Sequence, residues 1–153
     1  MLRAVRGCLT VSAAIEEFAE VAKEFCNWAE SKPAAPADEA RAGIRLVANL
    51  FSKALSLAVV PVANDVAGYK VSDEQWKAVY VRFGALPFNY YLELLSPSKF
   101  DEENLAAGDL ADDLADIYRD IKEGLSLYEA GYVTEAVSQW KESFGIHRGA
   151  PRI

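Results

Sequence analysis

"GDLADDLADIYRDIKEGL", residues 108–125, carries five aspartates and one glutamate, with only Arg119 and Lys122 to answer them locally. Placed on a helix at about 100° per residue, Asp109, Asp112, Asp113, Asp116, Asp120 and Glu123 share an arc of about 100°. Leu110, Leu114, Ile117, Tyr118, Ile121 and Leu125 fall on a separate arc, between about 80° and 180° from Asp109. One flank for water and one for a core is the signature of an amphipathic helix. The spacing therefore predicts a helix over 109–130, with Gly131 as the residue just past its end.

The same period recurs outward from this stretch. Ile15, Phe18, Ala22, Phe25 and Ala29 form an apolar stripe that predicts a helix over 12–30. The two prolines of "SKPAAPAD" (31–38) disfavour helix, and Asp38 is the expected N-cap of a second helix over 39–58. Its expected core face is Ile44, Val47, Leu50, Phe51, Ala54 and Leu55. Residues 59–71, with Pro61, Asn64 and Gly68, read as a loop. Ser72 and Gln75 make a capping box for a third helix, which Gly84 and Pro87 end. "FNYYLELL" (88–95) fits a short helix or a strand, and 96–104 is polar and irregular. A last helix spans 134–146, with Val133, Val137, Trp140 and Phe144 on one side. Sustained alternating patterns are absent. The expected class is all-α: one domain over 1–153, a bundle of five or six helices, with a ragged N-terminus (1–11) and a short tail (148–153).

Composition narrows the function. At 153 residues the chain is long enough for one self-sufficient core. It is 52% hydrophobic and 25% charged, a globular composition, and its net charge is −7. Such a balance disfavours tracking nucleic-acid phosphates or an anionic membrane surface. The two cysteines, Cys8 and Cys26, form no C-x-x-C pair, and Cys26 falls in an apolar helical pattern. A buried free thiol in a cytoplasmic protein is the expectation. The single histidine, His147, excludes multi-histidine metal sites and reads as a charge at a helix C-terminus. No glycine-rich phosphate loop occurs.

Two surfaces remain as candidates. The first is the acidic face Asp109, Asp112, Asp113, Asp116 and Asp120 with Arg119. Its i,i+4 like-charge pairs Asp109–Asp113, Asp112–Asp116 and Asp116–Asp120 each cost about 0.2–0.5 kcal/mol, which a solvated face tolerates. The second is an aromatic groove of Trp76, Tyr80, Phe83, Tyr90 and Tyr91. The leading reading is a non-enzymatic interaction module that meets a basic surface of another protein and needs no cofactor. The alternative takes D112-D113-L-A-D116 as resembling the D-D-x-x-D pattern that holds magnesium–diphosphate in helical prenyl-transfer enzymes. Asp112 and Asp116 would then share magnesium or manganese with Glu17 or Glu20 of "EEFAE" (16–20), in an enzyme acting on a phosphorylated metabolite.

"GLSLYEAGYVTEAVSQWKES" (124–143) resembles a tetratricopeptide repeat at Gly124, Tyr128, Gly131, Ala136 and Trp140. The resemblance departs at Asp120 and Glu123, where that repeat has Trp and Leu. A single copy implies a helical hairpin closing the bundle rather than a repeat groove. "EEFAEVAKEFCNWAE" (16–30), "RLVANLFSKALSL" (45–57), "LADDLADIYRDIKEGLSLYEAG" (110–131) and "EAVSQWKESFGIH" (135–147) together resemble a bacterial family known only as a domain of unknown function. That resemblance implies a small, cytosolic, all-helical protein with no assigned activity and no catalytic residues to carry over. Its pattern has Trp after the histidine, where this chain has Arg148.

Overall fold

The computed structural model describes residues 2–58, 66, 68–94, 96, 98 and 105–147, with side chains between 13 and 145. Residues 59–65 and 67 of the expected 59–71 loop, most of the irregular 96–104 segment, the 148–153 tail and the side chains of Cys8 and His147 lie outside them. Among the described residues there are five helices and one two-stranded sheet: α1 (Leu2–Glu30), α2 (Pro36–Ala54), α3 (Asp73–Phe83), β1 (Tyr90–Leu94), β2 (Leu105–Asp109), α4 (Leu110–Glu129) and α5 (Val133–His147). The protein is mostly helical. α4 sits at the centre, packed against α1, α3 and α5, while α2 lies on α1 and α5.

The α4–α5 hairpin is built on small residues. Gly131 takes φ +92°, a region that favours glycine. Its turn returns the Tyr132 N–H to the Leu127 carbonyl at 2.9 Å and its own N–H to Tyr128 at 3.0 Å, which caps α4. Seven residues earlier, Gly124 lies under the Trp140 indole, and a Cβ there would fall 2.2 Å from Trp140 Nε1. Trp140 is fully buried, stands 4.6 Å from the Phe18 ring of α1, and donates from Nε1 to the Ile121 carbonyl at 3.3 Å. The rest of the α1 stripe is buried as its period predicts, with Phe18, Ala22 and Phe25 inaccessible.

α2 departs from expectation at both ends and in its face. Pro36 opens it at the first turn, after Ala35, which makes no side-chain cap; Asp38 lies inside the first turn and is not the N-cap. Its buried residues are Glu39, Gly43, Leu46, Leu50 and Ala54, while Ile44, Phe51 and Leu55 are exposed at 68%, 48% and 56%. Two apolar stripes run along this helix. α1 takes the one with glycine, because a Cβ at 43 would stand 3.3 Å from the Trp28 ring. Polar chemistry fixes the same choice. Buried Glu39 accepts from Arg82 Nη1 at 2.6 Å and Nη2 at 3.1 Å, from Trp28 Nε1 at 3.0 Å and from the Ala34 N–H at 2.7 Å. The Arg82 hydrogen bond leads in holding the Glu39 carboxyl below its ordinary range, against the opposing effect of burial.

The capping box holds: Gln75 N donates to Ser72 Oγ at 3.1 Å, and Ser72 N to the Gln75 side chain at 3.1 Å. Within "FNYYLELL", Tyr90–Leu94 is a strand. β1 pairs antiparallel with β2 in a register that sets Tyr91 opposite Gly108. Among the described residues this small sheet is the one departure from an all-helical chain. β1 is solvent-facing over most of its length and "LAAGD" has no β-branched residue, so neither strand shows a periodic signal.

Gly124→Ala is expected to destabilise the fold by about 1–3 kcal/mol, since the indole and the helix must part; thermal unfolding measures it. Glu39→Gln is expected to cost about 3–5 kcal/mol at pH 7, by leaving Arg82 without a counter-charge, with Ser31 as its remaining partner. Because the folded pKa of Glu39 is depressed, the native advantage is present above the unfolded value, about 4.3, and is lost as pH falls through the lower folded one. The gap between native and variant in urea unfolding should therefore narrow with acid.

Candidate functional site

The two surfaces expected from the sequence turn out to be partly one. Side chains from α3 and the β1–β2 hairpin reach the acidic flank of α4 and donate to it. Trp76 Nε1 donates to Asp116 Oδ1 at 2.9 Å, the Tyr80 hydroxyl to Asp109 Oδ2 at 3.1 Å, and the Tyr91 hydroxyl to Asp113 Oδ2. Ser143 Oγ, from α5, donates to Asp120 Oδ2 at 2.7 Å. Arg119 Nη2 reaches Asp116 Oδ1 at 2.6 Å and lies 5.6 Å from the centre of the Trp76 ring, which stacks on Tyr80 at 5.4 Å. Four of the five aspartates are thus held by donors from other elements. Two members of the expected aromatic groove belong elsewhere. Phe83 is core, 5.0 Å from Trp28, and Tyr90 is exposed at 78%.

The electrostatics differ along the flank. Asp109 is the α4 N-cap, accepting from the Asp112 N–H at 3.2 Å. Desolvation acts against its charge, but donors from Asp112, Asn89, Tyr80 and Ala111 outweigh it and hold the carboxyl below the usual aspartate range. The same contact raises the Tyr80 phenol. Asp112 is the opposite case. Burial first, then the charges of Asp116, Asp109 and Asp113, push its carboxyl up, and Arg119 only partly counters them. It lines a shallow cleft with Trp76, Tyr80 and Arg119.

Tyr91 is placed by the hairpin. Its ring lies across Gly108, where a Cβ would fall 2.0 Å from Cζ, so the glycine gives the ring its only room to lie flat toward α4. Glu123, expected on the solvated arc, is buried instead. It accepts from the Val71 N–H at 3.0 Å, Gln139 Nε2 at 3.3 Å and Lys70 Nζ at 3.4 Å, tying the segment before α3 to α4 and α5. The tetratricopeptide resemblance carried that signal, since it sets a leucine at this position.

The carboxylates named for a divalent cation do not assemble. Asp112 and Asp116 face α3. Glu17 pairs with Lys53 at 3.1 Å, and Glu20 borders a different hollow with Lys23 and Tyr128. Among the described residues no group of three or more histidine, cysteine or acidic side chains could hold a metal. The sequence also left unseen a cleft of about 610 Å³ between α1, α3 and α4. There Glu30 Oε1 accepts from the Tyr118 hydroxyl at 2.7 Å and from Lys122 Nζ at 2.6 Å. Burial pushes the neighbouring Cys26 thiol up to about 12, so it stays protonated and inert.

Residues 10–151 match the family described as Domain of unknown function (DUF5063), and the chain belongs to that family. No curated protein matches it. A crystal structure of protein BF1032 from Bacteroides fragilis is similar in fold, with a TM-score of 0.70 and 22% identity over 91% of this chain and 85% of that one. No helix among the described residues is long and apolar enough to cross a membrane.

Asp112→Asn and Asp116→Ala should act in opposite directions. The raised folded pKa of Asp112 means that its charge opposes folding above the unfolded value, about 3.9. Asp112→Asn is therefore expected to leave the melting temperature unchanged or raise it at pH 7, a gain that disappears as acid protonates the native side chain. Asp116→Ala leaves the Trp76 indole N–H without its acceptor and should cost about 1 kcal/mol. Calorimetric scans from pH 3 to 7 read both.

Proposed function

We propose that this member of the family is a non-enzymatic interaction module that presents the acidic flank of α4 to a basic surface of another protein. One observation carries the reading. Asp109, Asp113, Asp116 and Asp120 are each fixed by a donor from a neighbouring element, while Asp112 keeps a charge that its surroundings penalise. A purely solvated face has no need to hold its carboxylates in place. Held carboxylates lose less side-chain freedom when a lysine or arginine arrives, which is how a fixed site gains affinity. The arriving cation also relieves the repulsion at Asp112. With a net charge of −7, the chain further favours encounter with basic partners. The tetratricopeptide-like hairpin serves here as the frame for α4 rather than as a peptide groove.

The test is binding of a fluorescent lysine-rich peptide, followed by anisotropy at 50 and 200 mM salt. Asp112→Asn with Asp113→Asn should weaken binding about fivefold at low salt, equivalent to about 1 kcal/mol for two screened contacts. Glu16→Gln with Glu20→Gln removes the same charge from a separate surface and should change it little. Equal loss from both pairs would mean a general charge effect and would remove the flank as a site.

A further inference from the structure

α2 stands off from α4, and the gap is a groove of about 540 Å³ lined by α2, Leu86, Phe88 and the apolar arc of α4. Its α2 wall runs from Gly43, at the edge of the buried stripe, through half-buried Val47 to the exposed Ile44 and Phe51. Ala40, Gly43 and Ala48 leave depth, and Ile44 and Phe51 stand beside them. Ile44 is exposed at 68%, and Phe88 on the opposite side at 53%. Among the described residues the one charged residue in the lining is Asp113, where the groove meets the acidic flank. From Ala40 to Phe51 is eleven residue steps, or about 16 Å of helix, the length of three turns.

We propose that this groove seats an amphipathic helix of a partner protein, its apolar stripe inside and its basic residues along the Asp113 side of α4. The proposal deepens the acidic-flank reading and rests on it for the partner's charge. A helix presenting apolar residues at i, i+3 or i+4, and i+7 spans the three turns available. Its neighbouring face then falls against Asp113, the carboxylate that borders the groove. A second copy of this chain fits poorly. Its own exposed α2 carries Arg41 and Arg45, but these already face Asp38 and Glu24 at 3.5 Å each. Pairing two copies across the groove would therefore bring acidic flanks together without a basic helix between them.

The experiment uses the full chain and three synthetic helical peptides of eighteen residues. One has leucines on one face and lysines beside them, one has glutamates in place of the lysines, and one has the leucines replaced by serine. The lysine–leucine peptide should bind at least tenfold more tightly than either of the others by isothermal titration. Ile44→Asp, at an exposed position that leaves the fold intact by circular dichroism, should weaken it at least tenfold. If Ile44→Asp has no effect while Asp112→Asn with Asp113→Asn still weakens binding, the groove proposal falls and the flank reading stands. If neither variant matters, both fall. Sedimentation showing a dimer that Ile44→Asp dissociates would assign the groove to a second copy and overturn the proposal.

Discussion

The Trp140 indole over Gly124 is the contact on which the remaining packing depends. It brings α5 against α4 closely enough for the indole N–H to reach the Ile121 carbonyl, and it offers Phe18 of α1 a flat aromatic surface 4.6 Å away. Three helices are set by one side chain. With α1 and α5 committed to α4, the apolar arc of that helix is divided between core and groove, and Asp109, Asp113 and Asp116 are left to the flank toward α3 and the hairpin. The acidic face follows from what the other sides of α4 already hold.

Periodicity made most of the helical frame legible. The stripes of α1 and α4, the Ser72–Gln75 cap and the Gly131 stop all appear where their residue types require them. Legibility failed where two answers had the same period. Ile44, Val47 and Phe51 are as regularly spaced as Leu46, Leu50 and Ala54, and only the Trp28–Gly43 approach and the Glu39–Arg82 pair choose between them. Both contacts span many residues of chain, so no local window contains them. The hairpin was hidden for a related reason: Tyr91 and Gly108 specify each other only once paired.

The candidate site has the same history. Both the acidic and the aromatic surfaces could be found from composition and spacing, but their junction could not. Trp76 reaches Asp116 across forty positions, and Tyr91 reaches Asp113 across twenty-two. Glu123 shows the complementary error, and Glu39 is buried by the same chemistry. A carboxylate in a helix is ordinarily assigned to water, yet these two are buried because each collects three or more donors, which offsets desolvation.

Gly108 carries no charge and touches no carboxylate, yet it governs one. Any side chain there would lift the Tyr91 ring from its seat and withdraw the phenol from Asp113. Drift at this site would thus be felt as a change in how one acidic side chain is aimed, with the bundle itself undisturbed. Selection on the surface can act through a residue that is never part of it, and position 108 is where a lineage retaining the bundle but abandoning the acidic face would be free to vary.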